Sequence, residues 1–129
     1  MGNIMAGIFE NFGIGIDIIE VERFREKKFQ KNKNFYSKIF CKSEIDYCLK
    51  FKDPYTHFAG KFALKESVIK SIRSKISFLD IQTSSSKSGP AVKLKNKLTK
   101  YSFLCSISHE KKFAIAVVIS LNNVKHITK

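Results

Sequence analysis

The spacing of apolar residues changes period along the chain, and each change marks an element. Residues 13–21, GIGIDIIEV, alternate in the manner of a β-strand and are rich in β-branched side chains. Ile14, Ile16 and Ile18 fall on one face, and Gly13, Gly15, Asp17 and Ile19 on the other. The period is lost over residues 20–39, where charge is mixed with Phe24, Phe29, Phe35 and Ile39. That stretch predicts one or two helices broken around residues 31–34. Residues 43–51 predict a helix with Ser43 at its N-cap and Ile45, Cys48 and Leu49 as an apolar stripe. Asp53-Pro54 is a strong start signal, an acidic cap followed by proline at the first helical position. From there Phe58, Ala59, Phe62, Ala63, Ile69 and Ile72 mark one face of a long helix ending near Ser71.

After residue 75 the period shortens again. Residues 76–83 alternate weakly, 84–90 read as a turn or loop, and 91–94 as a short strand. The β-rich runs 101–108 and 113–121 are separated only by His109, Glu110, Lys111 and Lys112, which predicts an antiparallel hairpin. The order of elements gives an α+β fold: a mainly antiparallel sheet packed against one long helix and shorter helices. One small domain spans 13–129, with residues 1–12 as an N-terminal extension.

Composition narrows the class. At 129 residues and 43% apolar content, with 12 Phe, the chain supports a single real core. Its formal net charge of +13 favours anionic partners: nucleic acid, anionic lipid, a phosphorylated small molecule or an acidic protein. Arginine occurs only at 23, 25 and 73. A lysine-dominated excess argues against reading of base edges, where arginine is the usual residue. The three cysteines are odd in number and lack metal spacing, so they read as reduced thiols of a cytoplasmic protein. No apolar run approaches the ~18 residues of a membrane span.

Three positions carry candidate chemistry. Asp17 interrupts an apolar strand, where a carboxylate needs a cation, a hydrogen-bond cluster or a metal. A salt bridge to one of the many lysines meets that need equally well. Glu66 lies one turn beyond Phe62, near the core-facing stripe, with Lys65 beside it and Lys70 four residues on. An ordinary Glu–Lys helix pair accounts for it. Asp17 and Glu66 taken together, with lysines nearby, would instead make a Mg²⁺ and pyrophosphate site. His109 closes a predicted strand after Ser106 and Ser108, a position equally suited to a solvated turn residue or a binding residue.

The segments GIGIDIIEVERF (13–24), KIFCKSEIDYC (38–48), HFAGKFALKESVIKS (57–71), SGPAVKL (88–94) and SISHEKKFAIAVVI (106–119) occur in this order. Together they resemble the holo-acyl-carrier-protein synthase family, the small phosphopantetheinyl transferases of fatty-acid synthesis. The resemblance implies transfer of 4′-phosphopantetheine from coenzyme A to a serine of an apo-acyl carrier protein. It makes Asp17 and Glu66 the Mg²⁺ ligands and Lys70 their catalytic neighbour. Lys65 would lie by the coenzyme A phosphates, and Gly89, Pro90, Ser108 and His109 would line the nucleotide pocket. Arg23 would meet the acidic carrier protein. It also implies a homotrimer with sites between subunits, and neither nucleic acid nor membrane as partner. The chain departs from the pattern at Cys41, where threonine is usual, at Lys61, where arginine is usual, and at Ile72-Arg73-Ser74-Lys75, which replaces a glycine-rich turn. The rival reading is a basic module for single-stranded nucleic acid, which the net charge and the phenylalanines would also suit.

Overall fold

The structure is a computed structural model that describes residues 9–95 and 100–123; most of the expected N-terminal extension, residues 1–8, lies outside this range. The chain forms β1 (Phe12–Glu20), α1 (Glu22–Arg25), α2 (Lys33–Ser37), α3 (Lys42–Leu49), α4 (Pro54–Ile72), β2 (Ile81–Ser86), β3 (Gly89–Leu94), β4 (Tyr101–His109) and β5 (Phe113–Asn122). Single 3₁₀ turns occupy Phe29–Lys31 and Phe78–Asp80. The α+β class and the antiparallel pairing agree with the sequence expectation. The strands form two sheets rather than one, a three-stranded sheet in the order β1-β5-β4 and a β2-β3 hairpin. A hydrogen bond from the Cys105 thiol to the Pro90 carbonyl, 3.4 Å, links the hairpin to β4. The three cysteines are unbonded to one another, as expected. Among the described residues, no helix is long and apolar enough to cross a membrane.

Several boundaries move. The segment 84–90, expected as a loop, is mostly strand: Ser84, Ser85 and Ser86 pair with Ala91, Pro90 and Gly89. The turn shrinks to Lys87 and Ser88, and Gly89 supplies the positive φ of 104° that closes it. The weak strand expected over 76–83 begins only at Ile81. Cys41, rather than Ser43, is the N-cap of α3, and the Glu44 carboxylate accepts the Cys41 backbone N–H at 2.9 Å. α4 starts as expected: the Asp53 carboxylate accepts from the Tyr55 N–H at 3.2 Å ahead of Pro54. At its end, where the family's glycine is missing, Arg73 itself takes the left-handed cap at φ 55°.

α4 is the axis of the core, buried on two sides. On one side it lies across the sheet against β1 and β5, with the Ser67 hydroxyl donating to the Ala116 carbonyl at 3.0 Å and that of Ser120 to the Ser71 carbonyl at 3.2 Å. On the other, Phe58, Ala59 and Leu64 join Phe24, Tyr36 and Phe40 in a cluster beneath α1–α3. The approach to β1 is close enough that glycine is required. A Cβ at Gly15 would enter the Ser67 carbonyl, and one at Gly13 the Ser71 carbonyl.

Burial on both sides explains a correction. Lys65, expected beside the coenzyme A phosphates, has 0% side-chain exposure and cannot reach them. Its ammonium pairs with Glu44 at 2.8 Å and donates to the carbonyls of Ile39 at 2.8 Å and Phe78 at 3.0 Å. Glu44 is completed by the N–H of Thr83 at 2.8 Å and its hydroxyl at 2.7 Å, and Lys61 donates to that hydroxyl at 3.1 Å. This network joins α3, α4, β2 and the loop before it, with every charge hydrogen-bonded as burial demands. Burial pushes the Glu44 carboxyl up, but hydrogen bonds from Lys65 and Thr83 outweigh it and hold the group below its ordinary 4.5.

Gly15→Ala should displace α4 from β1 and cost ~1–3 kcal/mol, read as a lowered urea midpoint. Lys65→Met leaves the Glu44 charge buried without its partner and should cost ~3–5 kcal/mol. Because the folded-state pKa of Glu44 is depressed, its contribution is complete above 4.5 and disappears as pH falls below it. Glu44→Gln, though less stable overall, should therefore show a flatter acid limb in urea midpoints measured from neutral to acid pH.

Candidate active site

Alternation along β1 sends its two faces to different tasks. Gly13, Gly15, Asp17 and Ile19 turn towards α4, while Ile14, at 68% exposure, Ile16 and Ile18 face outwards on an uncovered surface. With Gly15 against Ser67, Asp17 lies one turn back along α4, beside Glu66. The Lys70 ammonium closes the group, donating to the Asp17 carboxylate at 3.2 Å and to the Ile16 carbonyl at 3.0 Å. Glu66 is half-buried, and its carboxyl is raised from 4.5, first by burial and then by the Asp17 carboxylate; Lys70 and Arg23 oppose the shift.

Asp17, Glu66 and Lys70, chosen from sequence, are thus brought together at one edge of the sheet. The arrangement is electrostatically incomplete. Two carboxylates press on one another, and the lysine near them is half-exposed and engaged mainly with Asp17. Among the described residues, no group of three or more His, Cys, Asp and Glu side chains converges in a way that would hold a metal ion. Two adjacent carboxylates on an open edge, one resisting its charge, nevertheless fit a hard divalent cation that completes its shell with water and phosphate oxygens.

The second locus is a cleft of ≈ 200 Å³ on the other side of α4, lined by Gly89, Pro90 and His109 together with Tyr47, His57, Gly60, Lys61, Ser85, Ser86 and Ile107. Three of the four expected pocket residues share it. Ser108 does not: it lies on the outward face of β4 beside Ile16, Ser106 and Ile115. The reason is the period of two, which sends His109 towards α4 and its neighbour away. His57, Lys61 and Tyr47 had not been singled out as pocket residues. Their signal was His57 and Lys61 four apart around Gly60, which puts both on one side of α4.

The two loci are separate within one chain. Asp17 and Ile107 face Ala116 of β5 from either side, so two strand spacings, about 10 Å, lie between them. α4, hydrogen-bonded to Ala116 through Ser67, stands over the gap.

Comparison with known proteins gives the family. Residues 13–118 match the family model of the 4′-phosphopantetheinyl transferase superfamily. The chain is 36% identical over 110 residues to a holo-[acyl-carrier-protein] synthase of Thermodesulfovibrio yellowstonii, spanning 83% of this chain and 96% of that protein. It is 40% identical to one of Halothermothrix orenii over 119 residues, 83% of this chain and 94% of the other. Among solved structures, the Helicobacter pylori holo-[acyl-carrier-protein] synthase in complex with coenzyme A superposes with a TM-score of 0.72 at 36% identity, covering 83% of this chain and 98% of that one. With its sequence matched over most of its length and its fold shared, the chain belongs to the holo-[acyl-carrier-protein] synthase family of phosphopantetheinyl transferases.

Proposed function

We propose that this enzyme moves 4′-phosphopantetheine from coenzyme A to a serine of an apo-acyl carrier protein in a Mg²⁺-dependent reaction. The serine oxygen attacks the β-phosphorus of the coenzyme A pyrophosphate. The bond from that phosphorus to the bridging oxygen breaks, adenosine 3′,5′-bisphosphate leaves, and the hydroxyl proton passes to Glu66 or to water. The observation that carries the reading is the convergence of Asp17 from β1 and Glu66 from α4, with Lys70 beside them.

Phosphoryl transfer asks for positioning and charge balance more than for covalent help from the protein. Asp17 and Glu66 are the residues that would hold Mg²⁺, which when bound neutralises charge on the phosphate oxygens. Lys70 has three ammonium protons and uses two on Asp17 and Ile16, leaving one for an anionic oxygen. The net charge of +13 would draw an acidic carrier protein to the enzyme, and Arg23, exposed on α1 next to β1, would meet it. The nucleic-acid reading leaves the paired carboxylates without a role.

The working unit in this reading is a homotrimer. The outward face of the sheet is apolar over Ile14, Ile16, Ile18, Ile115, Ile119 and Leu104, the last at 72% exposure, which is the character of a surface covered by another protein. Separation of the carboxylate edge from the cleft supports sites built from two subunits, each lending one locus.

Asp17→Ala and Glu66→Ala should each lower transfer by at least ~10²-fold while leaving thermal unfolding nearly unchanged. Mass spectrometry of apo-acyl carrier protein incubated with coenzyme A and Mg²⁺ reads the outcome; full activity in either variant would refute the assignment. Ile14→Lys places a charge on the apolar face and should shift the mass seen by light scattering to that of one chain, with activity falling in parallel.

A further inference from the structure

The acidic edge is wet. Asp17 and Lys70 keep 18% and 52% of their side-chain surface exposed, whereas the Glu44–Lys65 pair keeps none. Glu66 beside them is half-buried, and the charged groups acting on it are Asp17, Lys70 and Arg23, the last itself exposed. The serines that follow Glu66 and Lys70 on α4 are both buried and turned inwards. Ser67 donates to the Ala116 carbonyl at 3.0 Å, and Ser71 to the Val68 carbonyl at 2.8 Å. Neither serine can attack a phosphorus at this edge, so the attacking oxygen comes from a partner or from water. Phosphoryl transfer passes through a loose transition state that asks little of that oxygen beyond position. A docked carrier protein supplies position, and water reaches an exposed edge unaided.

We propose that, with no carrier protein docked, this enzyme hydrolyses coenzyme A at the same edge to 4′-phosphopantetheine and adenosine 3′,5′-bisphosphate, and that docking shuts the reaction off by covering the edge. The inference rests on the transferase reading of Asp17, Glu66 and Lys70. A water oxygen bonds to the β-phosphorus. The bond from that phosphorus to the bridging oxygen breaks, and its electron pair stays on the bridging oxygen. One water proton passes to Glu66 or to solvent, as the serine proton does in transfer, and the other goes with the new phosphate monoester. Coenzyme A and water are the sole reactants.

Proximity sets the scale of the side reaction. A hydroxyl held in line reaches an effective concentration of about 10⁵–10⁸ M, against about 55 M for water, so hydrolysis should run about 10³–10⁶-fold below transfer. Transfer therefore dominates whenever a carrier is bound. Covering the edge adds a second effect, because a closed site expels the water that would compete.

The test incubates the full chain, at a concentration near that of coenzyme A, with Mg²⁺ in ¹⁸O-labelled water and no carrier, and reads both products by mass spectrometry. Attack at the β-phosphorus puts the label in 4′-phosphopantetheine, whereas a contaminating pyrophosphatase attacking the other phosphorus puts it in the bisphosphate. Glu66→Gln should lower hydrolysis and transfer alike, by at least ~10²-fold. If that variant does not fold by circular dichroism, Asp17→Asn carries the same test. A carrier protein with alanine at its acceptor serine should dock without accepting and lower hydrolysis by about tenfold or more. Independently of turnover, Mn²⁺ in place of Mg²⁺ should speed relaxation of water protons in the coenzyme A complex, and the alanine carrier should cut that enhancement by about half or more. Label confined to the bisphosphate, hydrolysis more than about 10⁶-fold below transfer, undiminished hydrolysis in the edge variant, or no effect of the alanine carrier overturns the inference. Failure of the transferase reading looks different: a carrier that keeps its serine gains no mass either.

Discussion

The contact on which the site depends is the approach of β1 to α4 across two glycines. Gly13 and Gly15 bring the strand backbone against the carbonyls of Ser71 and Ser67, closer than any side chain permits. The next inward residue is Asp17, and the helix at that distance offers Glu66. Two acidic groups from elements far apart in sequence are forced into one another's field, and the Glu66 carboxyl, raised first by burial, is raised further by the Asp17 carboxylate. Packing elsewhere serves to fix this contact: Ser67 and Ser120 pin helix and sheet by hydrogen bonds, while aromatic rings hold the opposite side of α4.

Much of this was readable before the fold was known. Alternation in GIGIDIIEV placed Asp17 on the same face as the glycines, and α4 gave Glu66 and Lys70 a common side. These signals are local, depending on a period within one element, and local signals survive folding. Lys65 shows where they fail. The resemblance set it by the coenzyme A phosphates, yet α4 is covered on both flanks. Its partner, Glu44, belongs to another helix and is itself buried by Thr83 of β2. Nothing in a single element's pattern reports what packs against its far side. Ser108 and His109 teach a different lesson, since the strand period already separates them; a motif carried over as a block hid a distinction that parity makes visible.

Polar residues in this fold divide into two economies of charge. The Glu44–Lys65 pair is sealed, each atom satisfied inside the protein, and its role is to join three elements. The Asp17–Glu66–Lys70 group is left open and unbalanced, and the cleft lined by His57, Lys61 and His109 lies apart from it. The transfer proposed above, in which a polyanion would be gripped at two points, one through a cation and one directly, would use this division. In the proposed trimer, separation of the two points by the body of α4 gives the uncovered isoleucine face its meaning, because a neighbouring subunit would close a distance that one chain keeps open.

β1 also carries a safeguard in its ladder. The register that pairs Asp17 with Ala116 places Ile14, Ile16 and Ile18 outwards and both glycines inwards. A slip of one residue would exchange the two sets at a stroke, driving Ile14 and Ile16 into backbone carbonyls and casting Asp17 onto the greasy exterior. Misalignment is therefore punished by steric overlap and by loss of the acidic pair together, so a molecule that has folded around α4 has also proofread its own acidic edge.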